Sequence, residues 1–169
     1  MANGIKRGLI ISDLHGGSIY GLWPETFALS SDAETSLNAG QHHLWNCWQH
    51  LIKTAQEIEP DFLVVNGDVV DGKQQAQRGT EAVTVVLADQ ARAMVDCLKP
   101  LVETIKRDIY FVAGTEYHDQ HAAQEVENIA SRLGATKYRG LGTGRFSREV
   151  LDLEVDGVIL NFSHGISVA

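Results

Sequence analysis

The chain has 169 residues, 44% of them hydrophobic and 21% charged, which fits one soluble globular domain able to build its core without disulfides. A formal net charge of −8 argues against a passive basic surface for nucleic acid. A nucleic-acid substrate stays open, because divalent cations in a carboxylate-rich site reverse the local field. No apolar run approaches the roughly 20 residues of a membrane span. The apolar run after Lys6 and Arg7 is too short for a signal peptide, so the chain reads as cytoplasmic with no membrane partner.

The first short apolar run, Leu9–Ile11, reads as a strand and ends in Asp13-Leu14-His15, followed by Gly16 and Gly17. Those glycines are expected to let the chain turn away and leave room for a substrate. Ser18 to Gly40 lacks clear periodicity and reads as an excursion over the sheet, with "SDAE" at Ser31 as a helix-start signal. Leu44, Trp48, Leu51, Ile52, Ala55 and Ile58 then recur at helical spacing until Pro60. Within that helix His42, His43 and His50 read as exposed histidines beside core-facing Trp45 and Trp48, a better reading than a second metal cluster. Cys47 and Cys97 have no metal-ligand spacing and read as buried free thiols.

A second strand, Phe62–Val65, ends in Asn66-Gly67-Asp68, with Asp71 close behind. "TEAV" at Thr80 reads as another helix start. Val83, Leu87, Met94, Leu98, Leu101 and Ile105 form the helical stripe, with Pro100 as a kink or break. The third strand, Ile109–Ala113, leads into Gly114-Thr115-Glu116-Tyr117-His118. A third helix is expected from about Asp119 to Leu133, with Gly134 as its stop. "GLGTGR" from Gly140 to Arg145 imitates a dinucleotide fingerprint but precedes a hairpin, so it reads as a loop whose Arg145 meets a phosphate. The hairpin turns at Asp156-Gly157, and its second strand ends in Ser163-His164-Gly165.

Strands alternating with helices imply βαβ units and a mostly parallel sheet. Ligands bind beyond the carboxyl ends of such strands. Here the strand ends, each beside a glycine, deliver carboxylates and imidazoles, among them Asp13, His15, Asp68 and His164. Carboxylate oxygen and imidazole nitrogen together suit Mn, Fe, Zn or Ni better than Ca or Mg. Asp68 has two oxygens and can bridge two ions, and two ions about 3.5–4 Å apart can clamp a phosphoryl displacement. Each piece alone has a plainer reading, as a turn, a helix cap or a hydrogen-bonded histidine. Their joint occurrence at successive strand ends favours the metal site.

"DLH", "GDVVD", "GTEYH" after a strand, and "SHG" together resemble the metallophosphoesterases, or calcineurin-like phosphoesterases, from Asp13 to Gly165. The resemblance implies an α/β fold, an α/β/β/α sandwich whose second sheet is incomplete in this chain, as one domain over residues 1–169. It implies Asp13 and His15 on one metal, Asp68 bridging, and His164 on the second. It also implies a dinuclear, metal-bridged hydroxide that hydrolyses a phosphomonoester or phosphodiester, with a nucleotide or nucleic acid among the open substrates. Asp71 is implied as a hydrogen-bonding residue.

Two departures stand out. Thr115 occupies the place of the family's Asn ligand, with Glu116 as the rival replacement, and His118 is displaced by two residues from the family's His. The looser Gly-Thr-x-x-His form resembles phage-type members, with Thr115 at the substrate and His118 as the catalytic histidine; Arg145 is expected at the substrate from its own loop. The family's closing Gly-His-x-His is absent, which implies a truncated chain, an exposed sheet edge, and a partner chain or further segment completing the site. The rival reading is a non-catalytic metal-binding or scaffold module.

Overall fold

Four residues in a row, Phe62 to Val65, are buried, and their side chains alternate between two cores. Leu63 and Val65 pack with the helices, whereas Phe62 and Val64 pack beneath a C-terminal hairpin. A strand covered on both faces is the expected partner for helical crossovers.

The computed structural model describes residues 6–115, 122–138 and 144–165. In chain order the elements are β1 (Gly8–Ile11), β2 (Thr26–Ala28), β3 (Glu34–Ser36), α1 (Ala39–Ile58), β4 (Phe62–Asn66), α2 (Leu87–Val102), β5 (Asp108–Val112), α3 (Ala123–Arg132), β6 (Ser147–Arg148), β7 (Val150–Val155) and β8 (Val158–Ser163). The central sheet has the order β1-β4-β5-β6, and all its pairings are parallel. Ile11 pairs with Val65, and Val65 with Phe111. The next residues of all three strands therefore emerge along one edge.

The expected strands and the mixed α/β class are present. α1 opens on a capping box, in which Asn38 accepts from the Gln41 N–H at 2.9 Å and the Asn38 N–H donates to Gln41 Oε1 at 3.3 Å. It ends at Glu59, whose φ is 47°, just before Pro60. α3 ends as expected at Gly134: Ala135 N–H reaches Ala130 O and Gly134 N–H reaches Ser131 O, closing the last carbonyls in a Schellman arrangement. The part of its expected start from Asp119 to His121 lies outside the described residues. At the hairpin, Asp156 and Gly157 both have positive φ (51° and 82°), which matches the twist of the flanking strands.

β7 and β8 form a second, two-stranded sheet. Leu151, Leu153, Val155, Leu160 and Phe162 pack on the face of the central sheet opposite the helices, against Phe62, Val64 and Val112. Val150, Val158 and Ile159 remain exposed.

Several sequence readings are corrected. α2 starts at Leu87, so Val83 and the "TEAV" at Thr80 precede it. Thr80 is in a turn instead, its N–H bonded to Gln77 O. The segment before α2 is held out of the helix by buried Gln90, which donates to Thr84 O (2.7 Å) and Gly72 O (2.8 Å). "SDAE" at Ser31 starts no helix; it forms the turn between β2 and β3, with Asp32 at φ 62°. Pro100 does not break α2, which runs on to Val102, because a proline in the last turn removes only one ladder bond. Cys97 is buried, but Cys47 is exposed, because it sits on the outer side of α1. Leu44 and Ile58, read as part of the α1 stripe, are 39% exposed.

Candidate metal centre

Past the end of β1, the chain stays zipped to the chain leaving β4. Asp13 N–H donates to Gly67 O, His15 N–H to Asp68 O, and Gly16 N–H to Val69 O, at 3.3, 2.9 and 2.9 Å. Asp71 N–H returns the contact to Gly16 O at 2.9 Å. The two loops are thus fixed relative to each other by backbone alone. Asp13, His15 and Asp68 all take positive φ, at 57°, 47° and 46°. Non-glycine residues in that region are strained and persist where the surroundings over-determine them, most often at functional sites.

The strain aims the side chains at one another. Asp13, Asp68 and His164 each offer a donor atom, and those atoms lie within 4.8 Å of one another. His164 Nε2 is 3.1 Å from Asp68 Oδ2 and 3.7 Å from Asp13 Oδ1. His15 Nε2 is 3.8 Å from Asp13 Oδ1. His164 arrives from the end of β8, on the second sheet. Its ring lies against Gly67: a Cβ there would be 2.2 Å from His164 Cγ, and Gly67 has φ 78°. Glycine is required at that position for both reasons.

His15 is oriented from behind. Its Nδ1 lies 3.2 Å from Asp71 Oδ1, and Gln74 Nε2 donates to the other oxygen of the Asp71 carboxylate. An ionised carboxylate only accepts, so Nδ1 carries the proton and Nε2 faces Asp13. The hydrogen bond to Asp71 raises the His15 pKa above its ordinary 6.5; partial burial opposes this, and the charges of Asp68, Asp71 and Asp13 add to it. Asp68, itself 3% exposed, accepts from Thr115 N–H at 2.7 Å and lies 3.2–3.3 Å from the Thr115 hydroxyl.

A family model for calcineurin-like phosphoesterases matches residues 7–135. The chain belongs to that family. No curated protein matches it. The family match takes in the β1 and β4 ends and stops before the hairpin, so the position of His164 is a separate, geometric observation.

As a calcineurin-like phosphoesterase, the chain presents a donor set that suits its metal chemistry. Two carboxylates and an imidazole converge, a second imidazole stands alongside, and a carboxylate backs that second ring. Imidazole and hard oxygen together fit a divalent transition ion, and backing carboxylates are typical of metal-binding histidines.

Of the residues singled out by sequence, Asp13, His15, Asp68 and His164 are brought together. Thr115 stands beside Asp68 and directs both of its donors at that carboxylate. Arg145 is elsewhere: it precedes β6, whose Ser147 pairs with Phe111, so it lies towards the opposite edge of the sheet. Residues 139–143 before it, and both Glu116 and His118, lie outside the described residues. Gly17, at φ 106°, turns the chain as expected, and both glycines have a further role. A Cβ at Gly16 would meet Met94 Sδ at 2.1 Å, and one at Gly17 would meet Gln90 at 2.4 Å. Their bareness lets α2 pack close beneath the site.

Gln74 and Asn66 escaped the sequence reading. Gln74 props Asp71, and Asn66 Nδ2 donates to Ser163 O at 3.4 Å, tying the end of β4 to the strand that carries His164. An Asn directly before the Gly-Asp pair was the only available signal. Among the described residues no helix is long and apolar enough to cross a membrane.

Proposed function

We propose that the chain is a metal-dependent phosphoester hydrolase with a dinuclear centre. In this reading Asp13 and His15 hold one divalent ion, His164 the other, and Asp68 spans both. The observation that carries it is the convergence of Asp13, Asp68 and His164 from three separate strand ends, in a family of phosphoesterases. Divalent ions at such a site lower the pKa of water and neutralise charge on phosphoryl oxygens. The chain's own residues do the rest. Asp71 fixes the tautomer of His15, and Thr115 fixes the carboxylate plane of Asp68. The backbone zip between the two loops holds the donors in place before a substrate arrives.

The test is hydrolysis of a chromogenic phosphodiester and phosphomonoester by the purified chain with Mn²⁺, beside Asp68→Asn. Turnover by the wild type and a loss of at least about 100-fold in the variant is expected, consistent with the several kcal/mol a metal contributes. Equal turnover in the two proteins overturns the assignment.

One observation favours a second reading. Thr115 spends its hydroxyl on Asp68, where the family has a ligating amide. If that leaves the second ion weakly held, the domain binds metal without turnover. Calorimetric Mn²⁺ binding with neither ester hydrolysed would identify this case.

A further inference from the structure

Beside the carboxylate cluster lies a cleft of about 360 Å³ between the end of β1 and the N-terminal half of α1. That is within the usual range for small-molecule sites. Asp13 and His15 form one end of it, Leu14, Leu22, Leu44, Trp48 and Leu51 supply its apolar lining, Ser12, Ser18 and Cys47 add small polar groups, and Tyr20 stands at the rim. Leu44, Trp48 and Leu51 recur along one face of α1. Only Trp48 of the three is fully buried, while Leu44 is 39% exposed and Tyr20 69%. Two large apolar side chains are thus left at the surface next to the charged cluster. Among the described residues, no Lys or Arg lines the cleft.

The wall of the cleft is built in advance. Gln41 Nε2 donates to Ser18 O and Gly21 O at 3.1 and 3.3 Å. Asn38 Nδ2 donates to Ile19 O at 2.7 Å, and Leu22 N–H to Leu14 O at 2.8 Å. Gly21 passes so near His15 that a Cβ would be 2.0 Å from His15 O. The segment carrying Tyr20 and Leu22 is therefore pinned to both α1 and the metal-bearing loop, and little ordering is left for a ligand to impose.

We propose that this cleft receives the alcohol portion of the phosphoester, and that this portion is flat, apolar and uncharged, of the aryl type. The inference rests on the phosphoesterase reading. With phosphorus at the Asp13–Asp68–His164 cluster, the ester oxygen leads past His15 into the cleft. A polyol would leave most of its hydroxyls facing Leu14, Leu22, Leu44, Trp48 and Leu51, with few polar groups to pair them. An alcohol bearing further phosphates would meet no cation there among the described residues, beside a chain of net charge −8. That disfavours nucleic-acid strands and nucleoside polyphosphates among the substrates left open by the sequence.

The test has two arms. In the first, 2-naphthol is titrated into the metal-free protein by calorimetry, with the methyl resonances of Leu44 and Leu51 followed by NMR. Saturable binding with shifts at both residues is expected, and Leu44→Asp and Tyr20→Ser should each weaken it about tenfold. In the second, the Mn²⁺-loaded protein is given 2-naphthyl phosphate and glycerol 2-phosphate. Leu44→Asp should lower the ratio of the two kcat/KM values about tenfold. Absence of naphthol binding, or an unchanged ratio, overturns the proposal. Naphthol binding with neither ester hydrolysed supports the cleft as an apolar ligand site and sinks the phosphoesterase reading instead.

Discussion

At His15, orientation and charge are set by Asp71, 56 residues further along the chain. Asp71 is 6% exposed, lies 3.2 Å from His15 Nδ1, and is itself held by Gln74. Replacing a carboxylate that backs a metal-binding histidine typically costs 10–100-fold in metal affinity. Asp71→Asn should therefore weaken Mn²⁺ binding by about that factor in calorimetry, and unchanged affinity would remove His15 from the ligand set. A pH effect follows with it. The folded His15 pKa is raised, so its contribution to stability is fully present below about 6.5 and is lost as pH rises through the folded value. The melting temperature of the metal-free chain should fall across that window, and Asp71→Asn should flatten the fall. The cluster itself was legible at this scale, since each piece alone has a plain use but their joint occurrence at successive strand ends does not. The pair of hydrogen bonds from Thr115 N–H and hydroxyl to Asp68 was not, because it depends on the path of the loop and no residue pattern encodes it.

Among the elements, the small β2–β3 hairpin shows why part of the fold was unreadable. Three-residue strands carry too little alternation to register, and "SDAE" offers capping residues to a turn as readily as to a helix. What fixes the hairpin is a distant carboxylate. Asp89 on α2, 1% exposed, accepts from Ser30 N–H and hydroxyl and from Arg92 Nη2 at 2.7 Å. Arg92 also donates to Ala28 O and lies over Phe27. Losing these charge-assisted bonds costs about 1.5–3 kcal/mol, so Asp89→Ala should lower the melting temperature by roughly 3–12 °C at about 2–4 °C per kcal/mol. Burial pushes the Asp89 pKa up, but Arg92 and Ser30 outweigh it and leave it below the ordinary 3.8. Its contribution is present above about 3.8 and is lost as pH falls through the lower folded value, so acid unfolding should be shallower in Asp89→Ala. The long helices, by contrast, were readable from their stripes. Their boundaries shifted where a side chain such as Gln90 captured the flanking backbone.

For the whole molecule, the donors join parts that are far apart in sequence. Asp13 follows β1, Asp68 follows β4, and His164 ends β8 on the second sheet. The protein interior brings them together through Gly67, where the loop and the imidazole touch. An alanine there meets positive φ, at about 1–2 kcal/mol, and drives its methyl into His164. Gly67→Ala should therefore lose metal affinity along with stability, whereas a purely local cost would spare the former. The same geometry makes bound metal a tie between the two sheets. A ligand that binds only the folded state at 100 times its Kd adds about 2.7 kcal/mol. For a domain of this size that is a rise of roughly 5–11 °C in melting temperature. Saturating Mn²⁺ should give that rise in the wild type and little of it in Asp68→Asn. Hydrogen exchange distinguishes a tie from simple binding: added metal should slow exchange at the β7–β8 amides as much as at the loop after β1. Slowing confined to the Asp13 and Asp68 loops would mean that His164 is not held by the ion, and that the hairpin closes over the site through Leu151, Phe162 and their apolar neighbours alone.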